Sequence, residues 1–359
     1  MEGQGHDIVV IGASAGGFQA VSDVISGLPV NLRAAVFIVI HVSSENSVES
    51  MVNYFQRNTQ LNFRKADNGR FEYGCIYLAP PDRHLLLKED KMILTKGPSE
   101  NKYRPSIDHL FRSAAAYYGS RAIGVILTGL MEDGTAGMAS LGRSGGITIV
   151  QDPQDAIFSD MPLSVLGQVN VDIVLPVAKI SSEIEKLVST PAIQRSPIPP
   201  EVIKEAQIAE RVAIGMEHAG DTGKLSSFTC PDCGGALWGH EEEKLTHYRC
   251  HTGHCFTDSA LLKFKSTEVE DTLWVVMRML EEKRNLLKVM SDKNKLQGGR
   301  NFSILSERAK ETEVHIERIK EILLYTPALP NIPDTSKTSV NINGVAISDK
   351  DNVSWRKQD

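Results

Sequence analysis

The chain has 359 residues, more than one typical hydrophobic core organises, so we expect two or three domains. Its 39 Lys and Arg residues and 45 Asp and Glu residues give a formal net charge of -6. These charges form no long single-sign blocks, which argues against nucleic acid or anionic lipid as a partner. No apolar stretch approaches the length needed to cross a bilayer, and no basic region precedes the first apolar run. We therefore expect a cytoplasmic protein without membrane insertion.

Up to about residue 175, short β-branched segments alternate with amphipathic ones. This pattern predicts an α/β fold with a doubly wound, mainly parallel sheet. Residues 72–96 contain three short strand patterns with no helix between them, which predicts an antiparallel extension of that sheet. A Pro-rich stretch at 189–200 then ends the first domain, which we place at residues 1–188.

The rest of the chain divides by composition into four parts. We predict a Pro-rich linker with a short helix at 189–226, a cysteine-rich segment at 227–257, a helical hairpin at 258–325 and a disordered polar tail at 326–359. The hairpin has Gly298 and Gly299 between its helices. Mostly apolar residues that recur three and four positions apart predict the seam, the face along which the two helices pack. They are Val269, Leu273, Val276, Leu280, Leu305, Ala309, Thr312, Ile316, Ile319 and Leu323.

The first apolar run breaks into glycines in the sequence IVVIGASAGG, residues 8–17. A P-loop requires Lys and then Ser or Thr after its last glycine, but Phe18 follows Gly17. A dinucleotide-binding turn requires glycine where Ser14 stands, and an acidic residue on the next strand. The remaining signature is G-x-S-x-G, in which small neighbours let a sharp turn present a serine hydroxyl. Taken alone, Ser14 fits a helix cap equally well.

Two further strand patterns are followed by residues that can take part in catalysis. The strand AVFIVI ends at His41, and the strand before TGLMEDGTAG is followed by Asp133. Because parallel strands end at one edge of a sheet, Ser14, His41 and Asp133 are predicted to form a nucleophile, base and orienting acid. Their chain order differs from that of α/β-hydrolases, which indicates a different fold with the same chemistry.

Several motifs follow one another in a specific order: IGASAGG, VIHV, YLAPPDRHLLL, RPSIDHLF, ILTGLMEDGTAGM and VQDPQDAIFSDMP. Together they resemble the catalytic domain of the chemotaxis receptor methylesterase, the CheB family of protein-glutamate methylesterases. The resemblance spans about residues 6 to 185. The best-known members carry a receiver domain before the esterase. This chain begins at the first esterase strand and is similar to stand-alone members with a cysteine-rich segment and helices.

The resemblance implies a serine hydrolase in which Ser14 attacks, His41 acts as base and Asp133 orients His41. The implied substrates are glutamate γ-methyl esters on cytoplasmic helices of methyl-accepting chemoreceptors, cleaved through an acyl-enzyme. Glutamine deamidation would use the same chemistry with another leaving group. The resemblance also implies an oxyanion hole formed by the backbone N–H groups of Ala15 and Leu130, although the family typically has Met at the latter position. No catalytic cofactor is expected.

The cysteine-rich segment contains CPDCGG and YRCHTGHC. Cys230 and Cys233 have the spacing of a two-thiolate turn, and Cys250 follows with either His254 or Cys255 as a fourth ligand. This spacing predicts one structural Zn²⁺ ion, because four protein ligands leave no open position. The spacing of the residues allows either His254 or Cys255 as the fourth ligand, whereas the resemblance favours His254.

A non-catalytic signalling scaffold with an esterase-like fold is the alternative function. Intact Ser14, His41 and Asp133 favour catalysis, because a scaffold requires none of them. The C-terminal helices are expected to bind other signalling proteins. We also expect few contacts across the Pro-rich stretch, so that the two halves of the chain would fold independently.

Overall fold

The computed structural model describes residues 5–42, 47–192, 197–214, 223–242, 245–296 and 301–325. The predicted glycine break at 298–299 and the predicted polar tail lie outside these residues. Residues up to Val269 belong to one compact unit and residues from Glu270 to a second. Among the described helices, none is both long and apolar enough to span a membrane.

The first part of the chain alternates strands and helices, as predicted. In chain order the elements are β1 (Ile8–Ala13), α1 (Gly17–Ser26), β2 (Ala35–Ile40), α2 (Val48–Gln56), β3 (Asn62–Lys65), β4 (Gly69–Arg70), β5 (Cys75–Leu78), β6 (His84–Lys88), β7 (Lys91–Thr95), α3 (Ile107–Tyr118), β8 (Ala122–Ile126), α4 (Thr135–Arg143), β9 (Ile147–Gln151), α5 (Asp160–Gln168), β10 (Ile173–Leu175) and α6 (Val177–Val188).

Seven of these strands form one parallel sheet in the order β10-β9-β8-β1-β2-β5-β3. Strands β1, β2 and β8 are buried along their whole length, as continuous apolar runs require when both faces of a sheet are covered. Residues of α3, α4 and α5 pack on one face, and residues of α1, α2 and α6 pack on the other. The predicted doubly wound α/β fold is therefore confirmed.

The antiparallel part differs from the prediction. Strand β5 joins the parallel sheet between β2 and β3, while β6 and β7 pair with β4 in a separate three-stranded sheet. All four residues of β5 are buried, which suits a central strand covered on both faces. The segment at 72–96 therefore supplies strands to two sheets instead of extending one.

The cysteine-rich segment forms a four-stranded antiparallel sheet, which we call the ribbon (residues 223–257 with a gap at 243–244). Helix α7 (Pro200–Ile214) precedes it, and its elements are β11 (Lys224–Thr229), β12 (Ala236–Glu242), β13 (Leu245–Cys250) and β14 (Cys255–Thr257). Helix α8 (Asp258–Leu296) follows directly. The buried apolar cluster of the ribbon is small and contains Cys230, Leu237, Cys250, Phe256 and Leu261.

Few contacts across the Pro-rich stretch were expected, and the structure shows otherwise. Val202 and Ala206 of α7 are buried in the same apolar cluster as α3. Glu210 of α7 accepts hydrogen bonds from the Lys88 ammonium at 2.6 Å and from the Tyr117 hydroxyl at 2.5 Å. The segment predicted as a linker thus contributes a helix to the core, because its Val and Ala face apolar residues. The predicted domain boundaries themselves stay predictions.

The second unit consists of α8 beyond residue 269 and α9 (Phe302–Tyr325). The two helices run antiparallel, since Arg284 contacts Glu313 at 3.0 Å and the Ser291 hydroxyl donates to the Phe302 carbonyl at 2.8 Å. The predicted seam of α9 is confirmed by the buried residues Ala309, Thr312 and Ile316. The seam predicted for α8 is wrong at two positions, because Val269 and Val276 are exposed.

Candidate functional site

Ser14 and His41 lie at the ends of two adjacent strands of the parallel sheet. β1 pairs with β2 so that Ala13 lies opposite Ile40, and Ser14 and His41 are the next residues on each strand. The backbone N–H of His41 donates to the Ala13 carbonyl oxygen at 3.1 Å. β8 pairs with the other side of β1, and the loop after β8 carries Asp133. The three predicted residues therefore meet at one edge of the sheet.

Glycines shape the turn that presents Ser14. Gly16 has a φ of 74°, in the left-handed region that favours glycine. The end of β8 also comes very close, because a Cβ on Gly129 would lie 2.8 Å from the Ser14 Cβ and 2.1 Å from the Met161 sulfur. The Ser14 N–H donates to the Thr128 carbonyl oxygen at 3.0 Å, which ties the two strand ends together. The turn is thus fixed on both sides.

The His41 ring lies between the serine hydroxyl and the aspartate carboxylate. Its Nδ1 is 3.3 Å from the Ser14 Oγ, and its Nε2 is 2.8 Å from the Asp133 Oδ2. A carboxylate only accepts hydrogen bonds, so Nε2 carries the proton in the neutral ring. Nδ1 is then free to accept the hydroxyl proton of Ser14. This geometry is the arrangement of a nucleophile, a base and an orienting acid.

Asp133 is fully buried against the N-terminus of α3. It accepts hydrogen bonds from the Ser106 hydroxyl at 3.0 Å and from the Ile107 N–H at 2.7 Å. Burial acts to raise the pKa of Asp133, but the hydrogen bond and charge of His41 and the Ile107 N–H outweigh it, and the pKa lies below its usual value. The carboxylate is therefore charged and aimed at His41.

Two residues around the site were missed by sequence analysis. The Tyr103 ring stacks on the His41 ring, with 3.7 Å between centroids and 6° between planes, and its hydroxyl contacts the Met131 sulfur at 3.3 Å. His84 accepts a hydrogen bond from the backbone N–H of Ser106 at 3.1 Å, and burial holds its pKa well below the usual value. Tyr103 lies in an irregular segment just before the RPSIDHLF motif, and His84 lies in the YLAPPDRHLLL motif, where no spacing distinguishes it as a site residue.

The two predicted oxyanion donors directly follow Ser14 and Gly129 in the chain. Ser14 and Gly129 use their own N–H groups within the protein, donating to Thr128 and Phe158. Within the described part of the chain, the N–H groups of Ala15 and Leu130 donate no hydrogen bond. Each flanks a residue whose N–H is already bound. Ala15 and Leu130 therefore stay predicted donors to a substrate oxygen.

The ribbon brings together four metal-ligating side chains. Donor atoms of Cys230, Cys233, Cys250 and His254 all lie within 4.8 Å of one another. Three thiols and one imidazole are a donor set typical of a structural zinc site. Cys255, the alternative fourth ligand, is not in this group: it is buried, and its backbone pairs with Arg249 in the neighbouring strand. The residues present thus fit a tetrahedral ion.

Comparisons with known proteins identify relatives of the region that contains this site. The CheB methylesterase family model matches residues 9–184. A protein of Leptospira interrogans is 35% identical over 178 residues, which make up 49% of this chain and 92% of the relative. A crystal structure of the Thermotoga maritima CheB methylesterase catalytic domain has 35% sequence identity and covers 51% of this chain and 98% of its own, with a TM-score of 0.49.

Two further relatives are longer than the matched region. A Photorhabdus laumondii protein is 32% identical over 188 residues, 51% of this chain and 53% of the relative. An Anaeromyxobacter dehalogenans protein is 35% identical over 182 residues, 50% of this chain and 53% of the relative. This chain spans about half the length of each, and both are named protein-glutamate methylesterase/protein-glutamine glutaminase. The identity to the Leptospira protein extends over nearly all of that relative, and the chain belongs to the CheB methylesterase family.

Proposed function

We propose that this protein hydrolyses glutamate γ-methyl esters of chemoreceptors, with Ser14 as nucleophile, His41 as general base and Asp133 as the orienting acid. The observation that carries the proposal is the continuous polar contact from the Ser14 hydroxyl through both nitrogens of His41 to Asp133. The names of the Photorhabdus and Anaeromyxobacter relatives support the same reaction.

In the first half-reaction, the Ser14 oxygen attacks the ester carbonyl carbon while its proton passes to His41 Nδ1. The tetrahedral intermediate collapses as the bond to the methoxy oxygen breaks, and His41 returns the proton to that oxygen, which releases methanol. The product is an acyl-enzyme between Ser14 and the glutamate side chain. Asp133 stays charged throughout and stabilises the protonated ring.

In the second half-reaction, His41 removes a proton from water as the water oxygen attacks the acyl carbon. The bond to Ser14 breaks, the serine regains its proton from His41, and a glutamate carboxylate is released. The N–H groups of Ala15 and Leu130 would stabilise the negative oxygen in both halves. With a glutamine amide, ammonia leaves in place of methanol, so the same residues would perform deamidation.

The surroundings of Ser14 suit a helical protein substrate. Leu130, Ile157 and Phe158 expose large apolar side chains beside the Ser14 turn. The Phe158 carbonyl accepts the Gly129 N–H at 3.0 Å, so this border belongs to the site. An apolar border can bind the apolar side chains beside a methylated glutamate on a receptor helix. We propose cytoplasmic helices of methyl-accepting chemoreceptors as the partner, and hence the cytoplasm as the place of action.

The direct test replaces Ser14 by Ala in the full chain and follows methanol release from methylated receptor membranes. We expect methanol release to fall to background, because no other group provides the attacking oxygen. Ser26→Ala, which changes an exposed serine of α1, is the matched control and should keep full activity. Full activity of Ser14→Ala would overturn the catalytic proposal.

A fluorophosphonate probe distinguishes the enzyme from the scaffold alternative. We expect the probe to label wild-type protein at Ser14 and not to label the Ser14→Ala variant. A scaffold with an esterase-like fold would show receptor binding without methanol release and without labelling.

A further inference from the structure

Three donor–donor distances in the ribbon match those of a tetrahedral zinc shell. With Zn–S bonds of about 2.3 Å and Zn–N bonds of about 2.0 Å, two bound sulfurs lie about 3.8 Å apart and a sulfur and nitrogen about 3.5 Å apart. The Cys233 and Cys250 sulfurs are 3.7 Å apart. His254 Nδ1 is 3.7 Å from the Cys230 sulfur and 3.5 Å from the Cys250 sulfur. Each of these distances fits one shared ion.

Two tight turns hold the donors in this arrangement. Gly234 and Gly253 have φ values of 71° and 100°, which glycine adopts without strain. In the first turn the Gly234 N–H donates to the Cys230 carbonyl at 2.8 Å, and in the second the Gly253 N–H donates to the Cys250 carbonyl at 2.9 Å. Each turn is thus closed by a glycine N–H that donates to the carbonyl of its first cysteine, and each presents two donors to the centre.

The strand that follows His254 reaches a loop of the catalytic site. The Cys255 carbonyl accepts the Asn101 N–H at 2.9 Å, and the Asn101 side chain accepts the Thr257 N–H at 3.3 Å. Asn101 has a φ of 50°, a left-handed conformation that needs support in a non-glycine residue. Two residues further along the loop, Tyr103 stacks on His41. The ribbon therefore supports the loop that carries this ring.

Buried ion pairs reinforce the same contact. Glu100, next to Asn101, contacts Arg112 of α3 at 3.0 Å. Arg249 of the ribbon contacts Glu205 of α7. Burial acts to raise the pKa of Glu205, but the charges of Arg249 and Arg112 lower it to about 2. Glu205 is therefore charged, and separating the ribbon from α7 would leave Glu205 and Arg249 without their partner, whereas the Glu100–Arg112 pair holds the loop to α3 within the catalytic part.

A second contact reaches the loop of the catalytic acid. The hydroxyls of Thr257 and Ser259 donate to the two carboxylate oxygens of Glu132. Glu132 is buried and directly precedes Asp133 in the chain. The junction of β14 and α8 thus holds the loop that aims Asp133 at His41.

We propose that Cys230, Cys233, Cys250 and His254 bind one Zn²⁺ ion, and that the ribbon held by this ion positions the loops of Tyr103 and Asp133. The ribbon has too small an apolar core to fold by burial alone, so its order depends on the metal. The metal is structural and touches no reacting atom. The proposed influence of the metal-bound ribbon on hydrolysis rests on the proposed function.

Metal content tests the first half of the proposal. In full-length protein supplied with zinc, mass spectrometry should find one zinc per chain. Cys230→Ser and His254→Ala should each lose it. Cys75→Ser, a buried thiol outside the group, and Cys255→Ser, the alternative ligand, should retain it. Wild-type protein without zinc, or a Cys230→Ser variant with one zinc per chain, would overturn the site.

Hydrogen exchange tests the second half without any substrate. After zinc is removed by a chelator, amides at 99–104 and 129–134 should exchange at least about tenfold faster, while amides of β1 and β2 should not change. Unchanged exchange at both loops would overturn the coupling and leave the metal site standing.

A double variant separates the contacts from the metal. Thr257→Val with Ser259→Ala keeps all four donors, so zinc content should stay at one per chain. Methanol release should fall about 10-fold to 100-fold, since small misplacements of catalytic groups have effects of this size. Thr267→Ala, at an exposed position of α8, is the control and should keep full activity. Full activity of the double variant would overturn the positioning role, whereas an inactive wild type would overturn the proposed function instead.

Discussion

The parallel-sheet region and the ribbon hold their residues in place by different means. Strands β1, β2 and β8 are buried along their length between two large apolar clusters. Among the described residues, the ribbon and the start of α8 share an apolar cluster of five buried residues, two of them cysteines of the proposed metal site. Hydrophobic burial therefore fixes Ser14 and His41, whereas polar contacts that reach the ribbon hold the loops of Asp133 and Tyr103.

The largest expected effect comes from Asp133→Asn. This variant changes the catalytic edge, the end of the parallel sheet that carries Ser14, His41 and Asp133, and leaves the ribbon intact. The amide cannot replace a carboxylate that accepts from Ser106, Ile107 and His41 together. We expect kcat for methanol release to fall about 10⁴-fold, with one zinc per chain retained. Asp23→Asn, on the exposed face of α1, is the control. Loss of zinc in Asp133→Asn would show that a change at the catalytic site also disturbs the ribbon.

Two phenylalanine variants compare the two cores directly. Phe37 is fully buried in the parallel sheet and Phe256 is fully buried in the ribbon. Phe37→Ala should lower the free energy of global unfolding by about 3–5 kcal/mol, measured by urea denaturation. Phe256→Ala should instead let a chelator remove zinc at a lower concentration. If both variants changed only global unfolding, the ribbon would be an ordinary part of the main core.

Substitution of Tyr103, in the loop that contacts the ribbon, is expected to have a smaller effect on kcat. Tyr103→Ala removes the ring stacked on His41 and should lower kcat about 3-fold to 10-fold, with little change in KM. Tyr103→Phe keeps the stacked ring and loses only the contact of the hydroxyl with Met131, so it should keep most of the activity. Equal losses in the two variants would assign the effect to the hydroxyl.

The smallest expected effect concerns Asp108, a second buried carboxyl in the sheet region. Burial, then the charges of Asp133 and Glu100, raise its pKa well above the usual value despite the opposing charge of Arg112. Folding therefore disfavours ionisation of this group. Its contribution to stability is present below the unfolded pKa of about 3.9 and is lost as the pH rises through the folded pKa.

Asp108→Asn removes this ionisation. The free energy of unfolding of the variant, relative to wild type, should therefore increase as the pH rises above about 4. Urea denaturation at a series of pH values measures the difference. A constant difference between the two proteins over this range would contradict the raised pKa.

The sequence allowed the sheet and the catalytic edge to be predicted because both depend on local patterns. Continuous apolar runs identified β1, β2 and β8, and the residues directly after parallel strands identified Ser14 and His41. Tyr103 could not be predicted in this way. It reaches His41 through an irregular loop whose path is set by contacts with the ribbon, far along the chain.

The wrong predictions share a physical cause. Composition indicates where a chain is locally flexible, but it does not show what packs against it. Val202 and Ala206 lie just after a Pro-rich stretch and are nevertheless buried against the main core. In α8, Val276 has the right spacing for the seam, yet it is exposed because the antiparallel partner helix lies along another face. Tertiary packing overrides such local signals.

The contacts of the catalytic edge span increasing distances along the chain, which has a consequence for synthesis on the ribosome. Ser14 and His41 are 27 residues apart, His41 and Asp133 are 92 apart, and Glu132 and Thr257 are 125 apart. A nascent chain therefore contains the serine and the imidazole well before the acid has been synthesised. The loop of the acid gains its last support only after residue 259 has emerged. Polypeptides released before residue 133 would contain the serine and the imidazole but not the acid, and would therefore lack the complete triad.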